Sequence, residues 1–194
     1  MTDDIAQDDA ALVADAIRGR ERAFSALMRR HKEALYKFVR VYVGDASEAF
    51  DLVQETFVAA WTNLKRYDPA RPFPAWLRGI ALNKCRDWAR RRNVRRFFFA
   101  AANLETSGRN VAAPEPNADD FTEVKNLARL EAAISALPDA LKAPLILTAI
   151  DGRSHKEAGS ILGLSAKAVE LRIYRARLAL KATLSLGDDD PPPI

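Results

Sequence analysis

The chain holds a single cysteine, Cys85, and only two histidines, His31 and His155. One thiol excludes an internal disulfide and any multi-cysteine metal site. Its apolar helical neighbours mark Cys85 as a buried, inert group. The histidines fall in separate parts of the chain with no acids at ligand spacing, so no metal centre is expected. No apolar run approaches the ~20 residues of a membrane span. There is no glycine-rich phosphate loop and no nucleophile elbow. The acids Asp3, Asp4, Asp8 and Asp9 are the reverse of a secretory signal. These absences argue against an enzyme, against a cofactor and against membrane insertion, and predict a cytoplasmic protein.

What is present is charge, unevenly placed. The formal net charge is +4, yet acids gather near both ends, at Asp3 to Asp9 and at Asp188, Asp189 and Asp190. The part between them is therefore more basic than the total. Such a balance points to a polyanionic partner and says nothing about fold. With 48% apolar residues the chain has enough hydrophobic material for one domain or two small ones.

Periodicity predicts helices throughout. The first spans 9–18 and stops at Gly19. The second spans 21–43, with Phe24, Leu27, Met28, Leu35, Val39 and Tyr42 on one face, and breaks at Gly44-Asp45. The third spans 47–64 and has the clearest stripe: Ala49, Leu52, Val53, Thr56, Phe57, Ala60, Trp61 and Leu64. That stripe faces a core, which turns Glu48, Asp51, Gln54 and Glu55 outward, together with Phe50, unusual for a large aromatic. A loop over 65–73 carries Pro69 and Pro72, and Pro74 suits a first helical turn. The fourth helix, 72–92, sets Trp76, Leu77, Ile80, Ala81, Cys85 and Trp88 against a cationic face. That face holds Arg71, Arg78, Lys84, Arg86, Arg90, Arg91 and Arg92, with Asp87 its lone acid. A helix of this kind suits nucleic acid better than a metabolite.

From about residue 93 to 120 the periodicity fades. Ser107-Gly108, Pro114 and Pro116 read as a tether of roughly 25 to 30 residues, although Phe97, Phe98 and Phe99 are too apolar for an idle linker. A second helical domain follows, with helices over 121–137, 140–150 (Pro144 near its first turn), 154–162 and 165–185. Ser154 and Ser165 are placed to cap the last two. The acidic, proline-rich segment 187–194 is expected to be disordered. The stretch 154–181 fits a helix-turn-helix, with a small residue at the crossing (Ala158 or Gly159) and a turn at Gly163. Lys167, Arg172, Arg175, Arg177 and Lys181 supply phosphate-binding charge. An ordinary helical hairpin with a solvated basic face has the same spacing, so that reading stays open here.

Three segments converge on a family. DLVQETFVAAW at 51–61, PFPAWLRGIALNKCRDWARRR at 72–92, and LPDALKAPLILTAIDGRSHKEAGSILGLSAKAVELRIYRARLAL at 137–180 resemble a bacterial sigma factor of the small extracytoplasmic-function (ECF) class. The resemblance implies an all-α fold of two small domains: region 2 over 1–95 and region 4 over 121–186. A flexible linker over 96–120 joins them, and an acidic tail over 187–194 follows. It implies a factor that binds core RNA polymerase and directs promoter recognition and opening. Asp51, Gln54, Glu55 and Phe50 would meet the β′ clamp helices, and region 4 the β flap. The −10 element would be read by Arg66, Phe73, Trp76, Asn83, Arg86 and Asp87, with Arg90, Arg91 and Arg92 on phosphates. The −35 element would be read by Ser165, Lys167, Glu170, Leu171, Tyr174 and Arg175. An anti-sigma factor is implied as a further partner. Phe50 stands where the family usually has an acid. Glu170-Leu171 replaces a commoner basic residue followed by Ser, which predicts an altered −35 preference. The competing reading is a two-domain helix-turn-helix regulator that acts without polymerase. The acidic face over 47–64 favours the first, because it would repel DNA.

Overall fold

The computed structural model describes the backbone of residues 8–102 and 121–185, with side chains over 8–95 and 126–185. Among these the chain is helical, with no strand. The first group of helices is α1 (Asp9–Ile17), α2 (Glu21–Val43), α3 (Ala46–Asn63) and α4 (Phe73–Ala102). A 3-10 turn, Leu64–Arg66, continues α3. The second group is α5 (Phe121–Ala136), α6 (Asp139–Leu145), α7 (His155–Leu162) and α8 (Ala166–Ser185). The expected linker beyond residue 102 and the acidic tail lie outside the described residues.

The α2–α3 corner shows how the sequence sets these boundaries. Gly44 takes a left-handed conformation (φ 76°) and ends α2. Asp45 then caps α3, its side chain accepting from the Glu48 amide at 2.9 Å. The amphipathic faces of α2, α3 and α4 close on Leu27, Leu35, Phe38, Leu52 and Leu77, each at most 2% exposed, and α1 lays Leu12, Val13 and Ala16 on the same core. Cys85 belongs to that core, and burial pushes its thiol up to about 12, the unreactive state expected of it.

The structure departs from the periodicity reading in several places. Trp61 is 40% exposed rather than core-facing, with its ring tilted against Phe24 at 4.9 Å between centroids. Helix α4 runs on to Ala102, because no proline or glycine interrupts 93–102 and its last residues are alanines, good helix formers. Pro144 lies mid-helix in α6, and the chain beyond it widens into a π-helical turn, Ile146–Ile150, closed by Asp151 N donating to Ile146 O at 3.0 Å. The proline lacks an amide and crowds the preceding turn, so the regular ladder cannot continue undisturbed. Arg78, assigned to the cationic outer face, is instead 2% exposed.

Arg78 is buried because the two helical groups pack against each other. Helices α5 and α7 and the π turn rest on α2 and α4, and the buried apolar residues of both groups form one continuous cluster. The contact is rich in charge. Asp151 accepts from Arg78 through Nε at 3.0 Å and Nη2 at 2.5 Å, and from Arg153 Nε at 3.0 Å. Asp139 accepts from Arg86 Nε at 2.8 Å and from the Tyr42 hydroxyl. Lys142 donates to two carbonyls, Tyr42 O near the end of α2 and Ser135 O near the end of α5. One ammonium thus sits at two helix C-termini, where cations are favoured. Burial nevertheless pulls the Lys142 pKa down and pushes that of Tyr42 up.

Candidate nucleic-acid and protein interfaces

The opening of α4 carries a pocket of about 250 Å³. Its floor and rim are Arg71, Pro72, Trp76, Ile80, Asn83 and Arg86. An aromatic cluster holds this end of the helix in place. Phe73 is buried, with ring centroids 5.8 Å from Trp76, 6.0 Å from Tyr67 and 5.5 Å from His31. Tyr67 donates its hydroxyl to Arg71 O, which pins the 67–71 loop against the pocket. Of the residues expected at the −10 element, Trp76, Asn83 and Arg86 meet in the pocket, and Asn83 is exposed. Phe73 lies beneath it and supports it rather than presenting a face. Arg66 is exposed on the 3-10 turn.

One turn further on, Arg90, Arg91 and Arg92 are exposed. Asp87 pairs with Arg90, and the Arg92 guanidinium lies 5.1 Å from the Trp88 ring centre. Trp88 is itself fixed by donating Nε1 to Glu48 at 2.7 Å. The three arginines therefore sit on the same helix as the pocket.

On α3 the exposed Phe50, Asp51, Gln54 and Glu55 form one surface. A shallow groove continues it past Val58, Thr62 and Asn63 to Lys84, which pairs with Glu55 at 3.1 Å. Val58 is 66% exposed and Phe50 47%, so the face is acidic but not uniformly polar. The Lys32 ammonium lies 5.9 Å from the Phe50 ring centre, which partly shields that aromatic. An acidic face with exposed apolar residues suits a basic protein surface.

In the second group, Ser154 and Glu157 form a capping box at the start of α7. Gly163 ends that helix in the left-handed region (φ 68°), and Ser165 caps α8 by accepting from the Ala168 amide at 3.1 Å. Gly159 is the crossing residue: a Cβ there would stand 2.5 Å from Leu164 O. The close approach that distinguishes a helix-turn-helix from a loose hairpin is therefore present. Lys167, Glu170, Leu171, Tyr174 and Arg175 are all exposed, and their spacing places them on one face of α8. Glu170 pairs with Lys167 at 3.0 Å.

Of the two histidines, His31 has a neighbour that its sequence spacing did not show. His31 does have an acidic neighbour: Asp9 of α1 lies 2.8 Å from its Nε2. Burial still holds the His31 pKa below its ordinary value. Among the described residues, no group of three or more His, Cys, Asp or Glu is arranged to hold a metal ion, and no helix is long and apolar enough to cross a membrane.

Comparison with known proteins gives this geometry its family. The Sigma-70 region 2 model matches residues 27–95, and the Sigma-70, region 4 model matches residues 127–180. The chain is 45% identical to the RNA polymerase sigma factor CnrH of Cupriavidus metallidurans, over 93% of its own length and 96% of the relative's. The chain belongs to the ECF class of RNA polymerase sigma factors. The ECF RNA polymerase sigma factor SigE of Mycolicibacterium smegmatis is 31% identical over 84% of this chain and 62% of that one. A solved structure of CnrH in complex with the cytosolic domain of CnrY superposes with a TM-score of 0.68 at 38% identity, covering 94% of this chain and 99% of that one. The chain is thus an alternative sigma factor with regions 2 and 4, and sigma factors are transcription initiation factors. A stand-alone DNA-binding regulator is not favoured.

What sequence reasoning missed in this sigma factor is the set of residues joining the regions: Arg78, Tyr42, Asp139, Lys142 and Asp151. Their partners lie as many as 100 residues apart. Arg78 sits beside Leu77 and Ala81, yet its charge reads in sequence as one more member of the cationic face.

Proposed function

We propose that α3 docks on the β′ clamp helices of core RNA polymerase through Phe50, Asp51, Gln54 and Glu55, and that region 4 contacts the β flap. The −10 element is then read as an unpaired base in the Trp76–Asn83 pocket. Reading a base on its pairing edge requires it to leave the stack, and an aromatic wall with a polar side chain is suited to receive it. Arg66, Arg86 and the Arg90–Arg92 tract hold the flanking backbone, Asp87 orients Arg90, and Phe73 supports the pocket from below. Region 4 sets α8 in the major groove of the −35 element, with Ser165 at its start and Lys167, Glu170, Leu171, Tyr174 and Arg175 along its exposed face.

The observation that carries this reading is the segregation of surfaces. A pocket and arginine tract on α4 and an exposed recognition face on α8 are suited to DNA, while the acidic face of α3 is suited only to protein. Region 2 over 1–95, region 4 over 121–186, a linker between them and an acidic tail complete the division, in a protein acting in the cytoplasm. An anti-sigma factor is a fitting regulator, since the relative CnrH was solved with the cytosolic domain of CnrY. Association with purified core polymerase, measured for the wild type and for Asp51→Lys/Glu55→Lys, tests the α3 assignment. The charge-reversed chain should lose at least about tenfold in affinity, and unchanged affinity would move the polymerase contact elsewhere.

A further inference from the structure

A charged pair stands at the start of α8. Lys167 is the second residue of that helix, and its ammonium lies 3.0 Å from a carboxylate oxygen of Glu170, one turn on. Both side chains are open to solvent, 84% and 52% exposed. They occupy the end of the helix that a helix-turn-helix directs at base edges.

The pair is poorly made for stability. Exposed ion pairs contribute little, and on a helix the favourable order sets the acid N-terminal to the cation. Here that order is reversed, and Lys167 lies in the first turn, where the helix dipole disfavours a positive charge. Nor does the pair add to attraction for the DNA backbone, because its two charges cancel. What it offers is a donor beside an acceptor, an arrangement suited to reading base edges rather than to holding phosphates.

The donors and acceptors of the major groove decide what it can read. Glu170 needs a donor there, or its carboxylate gives up hydration without compensation. The groove supplies two kinds, N4 of cytosine and N6 of adenine. Adenine sets its N7 acceptor beside N6, which repels a carboxylate, whereas cytosine presents no acceptor in the groove. Its partner guanine carries O6 and N7, two acceptors for the Lys167 ammonium. Side chains three residues apart on a helix have Cβ atoms about 5–6 Å apart, near enough for both groups to meet the edge of one base pair.

We propose that Lys167 and Glu170 act together as the reader of a single G·C base pair in the −35 element. The ammonium donates to guanine O6 and N7, and the carboxylate accepts from cytosine N4. This rests on the placement of α8 in the −35 major groove proposed above. In the free chain each group is the other's partner. On the promoter each turns to a base edge, and the pair takes no net charge into the groove. Either residue alone would bring an uncompensated charge, so the two contribute as a unit.

The test uses holoenzyme assembled from purified core polymerase and the full chain, on promoters selected from a pool randomised across the −35 element. The native holoenzyme should fix G·C at one position, in one orientation. Exchanging that pair for A·T should cost about tenfold in promoter affinity. Inosine·cytosine should bind as well as G·C, because inosine keeps O6 and N7 and lacks only the minor-groove amino group. Lys167→Ala/Glu170→Ala should lose the discrimination at that position alone. Its salt-dependence slope should match the native one, since the variant removes one charge of each sign. Native discrimination retained in the double variant overturns the proposal while leaving α8 on the −35 element. A loss that is uniform across sequences, with a shallower salt slope, also overturns it and makes Lys167 a phosphate contact. Initiation without any −35 preference would remove both this proposal and the placement of α8.

Discussion

Replacing Gly159 by alanine isolates the steric requirement of the helix-turn-helix. The added methyl would stand 2.5 Å from Leu164 O, a backbone atom, with Leu164 C at 3.5 Å and Ala166 N at 3.6 Å. No flexible side chain can move aside, so α7 and the turn must separate by roughly 0.7 Å, which places the cost near the upper end for overpacking, about 3 kcal/mol. Alanine's better helix propensity returns about 1 kcal/mol. The net loss is about 2 kcal/mol, roughly a 30-fold change in the unfolding equilibrium. Gly152 provides the comparison, because it has a left-handed backbone (φ +68°) and nothing within 4 Å of an added Cβ. Gly152→Ala should cost only about 1 kcal/mol, from backbone conformation alone. Urea unfolding followed by circular dichroism measures both. The three tryptophans, Trp61, Trp76 and Trp88, all belong to region 2, so their fluorescence reports whether region 2 unfolds separately. Gly159→Ala as stable as wild type, or more stable than Gly152→Ala, would refute the close crossing.

Three further expectations concern charge. The His31 pKa is depressed by burial from its ordinary 6.5, so the unfolded chain binds the proton more readily. The associated stability is complete above about pH 6.5 and declines as pH falls through the lower folded value. His31→Gln should flatten that decline in thermal melts taken across pH 5 to 8, and an unchanged profile would assign it to other groups. Arg91→Ala should weaken holoenzyme binding to promoter DNA across sequences and reduce the salt-dependence slope by about 0.9. No change in slope would remove Arg91 from the phosphate-holding tract. Glu170→Lys breaks the pair with Lys167 and reverses the charge on the recognition face. It should alter the preferred −35 sequence selected from a randomised promoter pool, and unchanged selection would take Glu170 out of base recognition.

The helices were legible because their signals are local. Gly44-Asp45, Ser154 with Glu157, and Gly163-Ser165 act within a turn of where they stand, and the structure realises each as a cap or a left-handed stop. The outward turn of Phe50 and the acids of α3 was equally readable from its stripe. Trp61 was misjudged because period alone says which side a residue faces, not how far the neighbouring helix reaches. The extension of α4 was hidden by low periodicity: arginines, phenylalanines and alanines over 95–102 sustain a helix without marking one face. Arg78 was misplaced for a different reason. Its partner Asp151 is 73 residues away, and a buried ion pair looks in sequence like two exposed charges. The candidate site was thus legible in its chemistry, while the contact between the two helical groups was not.

Run-off transcription with purified core RNA polymerase on a genomic promoter library tests the central claim most directly. Adding the chain should produce discrete transcripts from promoters that share paired −10 and −35 elements, and neither polymerase nor chain alone should produce them. Specific duplex binding by the isolated chain, with no new transcripts when core polymerase is present, would contradict the account.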